Sequence, residues 1–149
     1  MNNYKPLKEQ VKDNFPFLVK SRSGFRLSKQ EQESPYAEMI FTSANMKLWF
    51  YEERAQYYFK VASAVNKEWI NFKDLRTLIT GCEYETGLLS EDDAIFFKNN
   101  LKEIEQLLSK KNISNTLNQI DVMLTKRAYD RWGPTLEDLE KTKNEEKPS

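Results

Sequence analysis

From Tyr36 to Ser63 the chain reads YAEMIFTSANMKLWFYEERAQYYFKVAS, with apolar and polar side chains alternating at a period of two. That period belongs to β-strands, whose successive side chains point to opposite faces of a sheet. The stretch is too long for one strand and is expected to fold back twice. A two-residue turn at Ala44-Asn45 sets Phe41 opposite Leu48, Ile40 opposite Trp49 and Met39 opposite Phe50. A second turn at Glu53-Arg54 sets Phe50 opposite Tyr57, Trp49 opposite Tyr58 and Leu48 opposite Phe59. Neither dipeptide is Asn-Gly or Asp-Gly, so a longer loop that preserves the faces satisfies the pattern equally well.

Both turns sort the side chains in the same way. Met39, Phe41, Met46, Leu48, Phe50, Tyr57, Phe59 and Val61 share one face, which is expected to be the core. Glu38, Thr42, Lys47, Gln56 and Lys60 share the other, expected to be solvated. A slip of one residue would exchange the two sets, so burial should fix the register. Ile40, Trp49 and Tyr58 interrupt the polar face as a row, with Tyr51 beside Trp49. Two roles fit that row. It is either a small second cluster beneath a covering segment, the commoner arrangement because large exposed patches are unusual on monomers, or an aromatic recognition patch.

Helices are expected on either side of this meander. Leu7, Val11 and Phe15 recur every four residues behind Pro6, which predicts a short amphipathic helix ended by Pro16. Ser21 to Gly24 reads as a turn, Phe25-Arg26-Leu27 opens a first strand reaching Gln30, and the polar run to Pro35 connects to the meander. After Asn66-Lys67, the residues from Trp69 to Phe72 suit an extended segment, with a helix from about Lys73 to Gly81. Ser90 followed by Glu91, Asp92 and Asp93 marks the start of a long helix whose buried stripe is Ile95, Phe97, Leu101, Ile104, Leu107 and Leu108. A final helix from about Thr116 should bury Leu117, Ile120, Leu124, Ala128 and Trp132, with Gly133-Pro134 ending it. The fold class is therefore α+β: a short N-terminal helix, an antiparallel meander of about four strands, and two to three C-terminal helices on one sheet face. Residues 1–133 form one domain on this reading. Residues 134–149 are charged and polar, and are expected to be disordered because they cannot bury enough apolar area to offset their ordering entropy.

Composition removes whole classes of chemistry. There is no histidine, so neither Ser-His-Asp nor Cys-His catalysis nor the usual zinc constellations can be built. Cys82 is the sole cysteine, and its place just after a helix suits a buried structural thiol. The four glycines never cluster, which excludes a P-loop or dinucleotide fingerprint. Lys+Arg and Asp+Glu are both 23, and this balance argues against a sequence-independent nucleic-acid binder. No apolar run is long enough to span a membrane. The N-terminal MNNYKPLKEQVKDNF lacks the apolar core of a secretory signal, so a reducing, cytoplasmic setting is expected. Carboxylate pairs at Glu52-Glu53, Glu83/Glu85 and Asp92-Asp93 read as a hairpin tip, a loop and a helix start, all exposed. No catalytic residue, cofactor or metal ligand is expected.

Phe17-Leu18 and Gly24-Phe25 after a short helix, a tyrosine-rich meander, and Trp69-Ile70-x-Phe72-x-x-Leu75 leading into long C-terminal helices form a recognisable layout. Over residues 5–132 it resembles the small single-domain α+β proteins of bacterial toxin–immunity loci, and bacterial families of similar layout. The resemblance implies a cytoplasmic protein that blocks a cognate toxin by direct binding, and assigns no individual residue. Surplus aromatic and acidic surface also suits a binding protein, with Trp49, Tyr51, Tyr58, Ile40, Glu38 and Glu52 as the candidate contact residues. The alternatives are a small-molecule domain with an apolar pocket between sheet and helices, and a homodimer paired through a sheet edge.

Overall fold

Two hairpins set the architecture. The computed structural model describes residues 4–20, 23–33 and 36–133. Strands β1 (Arg26–Glu33), β2 (Tyr36–Thr42), β3 (Met46–Glu53), β4 (Gln56–Ser63) and the two-residue β5 (Ile70–Asn71) pair in sequence order as one antiparallel sheet. Helix α1 (Leu7–Asn14) precedes the sheet, followed by a 3₁₀ turn at Pro16–Val19. Helices α2 (Phe72–Thr80), α3 (Glu91–Asn99), α4 (Leu101–Leu107) and α5 (Ile113–Trp132) follow it. The α+β layout matches expectation, with one more short strand and one more helical segment.

The first turn lies at Ala44-Asn45, and β2 pairs with β3 as the alternation requires. Ser43 fixes it: its hydroxyl accepts from the backbone N–H groups of Asn45 and Met46. The second turn corrects expectation. It lies at Arg54-Ala55, both with positive φ (53° and 61°), as a type I′ hairpin demands. Trp49 therefore faces Lys60, Tyr51 faces Tyr58 and Phe50 faces Phe59. The shift is two residues, so every side chain keeps its face while its cross-strand partner changes.

A bulge at Ser28 has the opposite effect on β1, exchanging the faces of the residues beyond it. Leu27 pairs with Phe41, but the next pair is Lys29 with Ile40. The extra residue turns Lys29 to the outer face and Gln30 to the inner one. β1 is the long free edge. Its bulge and its Lys29 and Glu31 side chains lie along that edge.

The inner face holds the core. Leu48, Phe50 and Val61 are fully buried, and Phe50 stacks on Phe59 at 4.4 Å between centroids. Phe15, Phe72 and Phe97 pack edge-on or tilted around that pair. One apolar cluster runs from Leu7 to Ile120 and joins all the helices to this face.

Several helical details differ from the periodicity. The long third helix breaks at Asn100, whose amide donates to the Phe96 carbonyl. Phe97, Leu101, Ile104 and Leu108 form the inward stripe, and Ile95, which cannot share a helix face with Phe97, is 59% exposed. α5 starts earlier than expected, at Ile113, and buries Ile113, Thr116 and Ile120. Its second half is held to the body through Arg127, which pairs with Asp74 at 2.8 Å and Glu83 at 2.9 Å, while Leu124 and Ala128 are exposed. Cys82, two residues beyond α2, is exposed rather than buried, because Gly81 turns the chain outward at φ 75°. The Ser21-Arg22 part of the first turn, the Ser34-Pro35 connection, the Trp132 side chain and the charged stretch 134–149 lie outside the described residues.

Candidate functional site

The outer sheet face gathers aromatic rings from three strands and one loop. Alternation places Tyr36, Glu38 and Ile40 of β2, Lys47, Trp49 and Tyr51 of β3, and Tyr58 and Lys60 of β4 on that side. Among the described residues, the ring partners of this group come from the sheet itself and from Trp69, just before β5. Trp49 lies 4.6 Å from Tyr51 and 5.4 Å from Trp69. Tyr51 and Tyr58 stack at 4.7 Å with only 14° between their planes. That spacing equals the distance between neighbouring strands, so the stack runs across the sheet and the rings stand on edge. Their rims face outward, and a ring's rim carries the positive part of its quadrupole.

Two lysines add charge of the same sign. Lys60 Nζ sits 5.5 Å from the Trp49 ring and 5.7 Å from the Tyr51 ring. Lys47 Nζ sits 5.4 Å from the Trp69 ring and donates to the Asn66 carbonyl at 3.1 Å. Neither forms a salt bridge among the described residues.

Of the six candidate contact residues, Ile40, Trp49, Tyr51 and Tyr58 are half-buried neighbours on this face. Glu38 and Glu52 are not solvent-facing acids, and both expectations need correcting. Glu38 is 5% exposed. Its carboxylate accepts from Lys29 Nζ at 2.6 Å, Tyr36 Oη at 2.7 Å and Trp49 Nε1 at 3.0 Å. Burial pushes its pKa up, but the three donors outweigh burial and hold it below the ordinary carboxylate range. The Tyr36 phenol is pushed the other way, first by burial and then by its bond to Glu38.

Glu52 lies on the inner side of β3 and is 4% exposed. It accepts from the Leu7 backbone N–H at 3.0 Å and from the Tyr4 hydroxyl. Pro6, at the N-cap of α1, offers no side-chain cap, so this strand carboxylate satisfies the helix end from across the fold. The Tyr4 phenol is raised to about 12, chiefly by that hydrogen bond.

Glu38 gives a pH prediction. A carboxyl held below its unfolded value of about 4.3 stabilises the fold above that pH and loses the contribution as pH falls through the native value. Urea midpoints between neutral pH and pH 3 should therefore fall more steeply for the native chain than for Glu38→Gln. Parallel curves would mean that Glu38 lacks its three donors in solution.

The acids read as candidate pairs are dispersed. Asp93 is buried in ion pairs with Lys73 at 2.8 Å and Arg76 at 3.0 Å, while Asp92, Glu53, Glu83 and Glu85 are exposed. Among the described residues no three His, Cys, Asp or Glu side chains are arranged to hold a metal ion, and no helix is long and apolar enough to cross a membrane.

Between β5–α2 and α5 lies a side groove of about 580 Å³, lined by Trp69, Asp74, Leu117, Asn118, Asp121 and Leu124. It is largely polar and lies beside the sheet–helix core rather than within it. Tyr36, Lys29, Lys47, Lys60 and Trp69 were absent from the candidate set. The alternation already places Lys47 and Lys60 on this face and extends to Tyr36, the shifted turn sets Lys60 opposite Trp49, and Lys29 reaches the face only through the bulge. No protein-family model, curated protein or solved structure matches the chain.

Proposed function

We propose that the chain is a non-catalytic protein-binding domain that docks a partner on its outer sheet face. An immunity-type inhibitor of a bacterial toxin, working in a reducing, cytoplasmic setting, is the form implied by its layout. The observation that carries the reading is the half-buried cluster of rings Tyr36, Trp49, Tyr51, Tyr58 and Trp69 on the sheet face opposite the one where, among the described residues, the helices pack. Aromatic rings held rigidly by neighbouring strands bury large area at small entropic cost, which is the property of binding hot spots. Glu38 is sequestered, and the face carries Lys47 and Lys60 beside the rings with Glu31 and Glu53 exposed toward its margins, so it complements a partner surface of mixed charge.

The test is a photo-reactive benzoylphenylalanine at position 58, irradiated in the native cell, with Ile95 on the helical side as control position. One dominant protein adduct at 58, absent at 95, is the expected result. The captured protein should be toxic when expressed alone and silent beside this chain. No adduct at 58, or the same adducts at both positions, would contradict the reading.

A further inference from the structure

A second groove lies on the opposite side of the sheet, at the β1 edge, and has a different chemistry. It encloses about 490 Å³ between the α1–3₁₀ segment and strands β1 and β2, a volume suited to a small ligand. Leu18, Phe25, Met39 and Phe41 contribute to its lining and are otherwise buried. Val19 and Leu27 form its open walls, 55% and 44% exposed. Three further lining residues are cations: Lys8 and Lys12, one helical turn apart on α1, and Lys20 after the 3₁₀ turn. No carboxylate lines the groove, and none of the three lysines is in a salt bridge among the described residues. The Ser28 bulge helps to shape the site, because it brings neutral Gln30 to the lining and sends Lys29 to the outer face.

An apolar trough with a purely cationic rim matches one kind of molecule, an unbranched alkyl chain ending in an anion. We propose that this groove binds a free long-chain alkyl carboxylate, with the chain against Leu18, Val19, Leu27 and Phe41 and the carboxylate among Lys8, Lys12 and Lys20. Chain burial supplies affinity in proportion to methylene count, and the lysines select the sign of the head group. The site is separate from the outer face, so it stands or falls independently of the partner proposed there.

Isothermal titration of the full chain with octanoate, decanoate and laurate, each below its micelle concentration, tests the proposal. Binding should tighten about fourfold per added methylene. Dodecyltrimethylammonium, which has the same chain and the opposite charge, should not bind. Leu27→Glu, and separately Lys8→Glu with Lys12→Glu, should each weaken laurate by about tenfold or more. Lys102→Glu, on α4, should leave it unchanged. If Leu27→Glu does not fold, Val19→Glu at the more exposed wall serves in its place. The proposal is overturned by equal binding of the cationic and anionic chains, by affinity indifferent to chain length, or by no effect of the wall and lysine variants. Capture by anionic phospholipid vesicles without binding of free laurate would also overturn it, as would binding of an acidic amphipathic peptide but not laurate.

Discussion

Asp93→Ala should lower the free energy of unfolding by about 3–5 kcal/mol, the usual cost of removing one partner from a buried ion pair. Asp93 is 1% exposed, and its two oxygens accept from Lys73 Nζ, Arg76 Nη1 and the Ser90 backbone N–H. Without it, the Lys73 ammonium remains buried with only the Ser90 hydroxyl at 3.2 Å. Helix α3 also loses half of its capping box. Asp93→Asn should cost less, since an amide oxygen can still accept from Ser90. Adding Lys73→Met to Asp93→Ala should restore part of the loss, because the stranded charge goes while most of the apolar stem stays. Urea unfolding at neutral pH reads all three. A loss below about 1 kcal/mol for Asp93→Ala would place the pair in water, at the surface-bridge level, and would break the described contact between α2 and α3.

Phe50→Ala should be of similar size, about 3–5 kcal/mol, through a different mechanism. The Phe50 ring is fully buried, stacked on Phe59 and met edge-on by Phe15 at 4.8 Å and Phe41 at 5.9 Å. Rings on two strands and on the N-terminal segment close around it, and Phe72 and Phe97 back those rings from the helices, so collapse into the vacated space is restricted. Tyr58→Ala, on the other face of the adjacent strand, removes one stacking partner in a half-exposed position and should cost only about 1 kcal/mol. The ratio between these two losses measures how unequal the two sheet faces are. Equal losses would mean that the outer face is covered in solution.

The sheet was legible because strand parity survives most errors of detail. Misplacing the second turn moved partners by two positions and left Phe41, Leu48 and Phe59 inside. The turn itself was hidden because Arg-Ala carries no sign of left-handed backbone, whereas Asn-Gly would have announced it. Parity placed Glu38 on the outer face but not its burial, and Glu52 was read as an exposed hairpin tip; both burials depend on partners distant in sequence. Leu7 and Tyr4 reach Glu52 from another element, and Lys29 reaches Glu38 only because a bulge turns it over. Ile95 was misread by counting apolar residues without asking whether 95 and 97 can share a helical face. Cys82 was misread because burial after a helix end depends on where Gly81 sends the chain. The aromatic row was visible from the start, and so were Lys47 and Lys60 on its face, but not that Lys60 lies over Trp49 and Tyr51 and Lys47 over Trp69, which depends on side-chain packing.

Quenching of tryptophan fluorescence tests the central assertion most directly, namely that the aromatic face is open and that Lys60 and Lys47 lie over Trp49 and Trp69. In a Trp132→Phe chain, the signal comes from Trp49 and Trp69 alone. Iodide should quench it more strongly than caesium at matched ionic strength, and Lys47→Gln with Lys60→Gln should remove the difference. Indifference to both ions would mean that a segment covers the face, and stronger quenching by caesium would mean that the surface is acidic; either result contradicts the account.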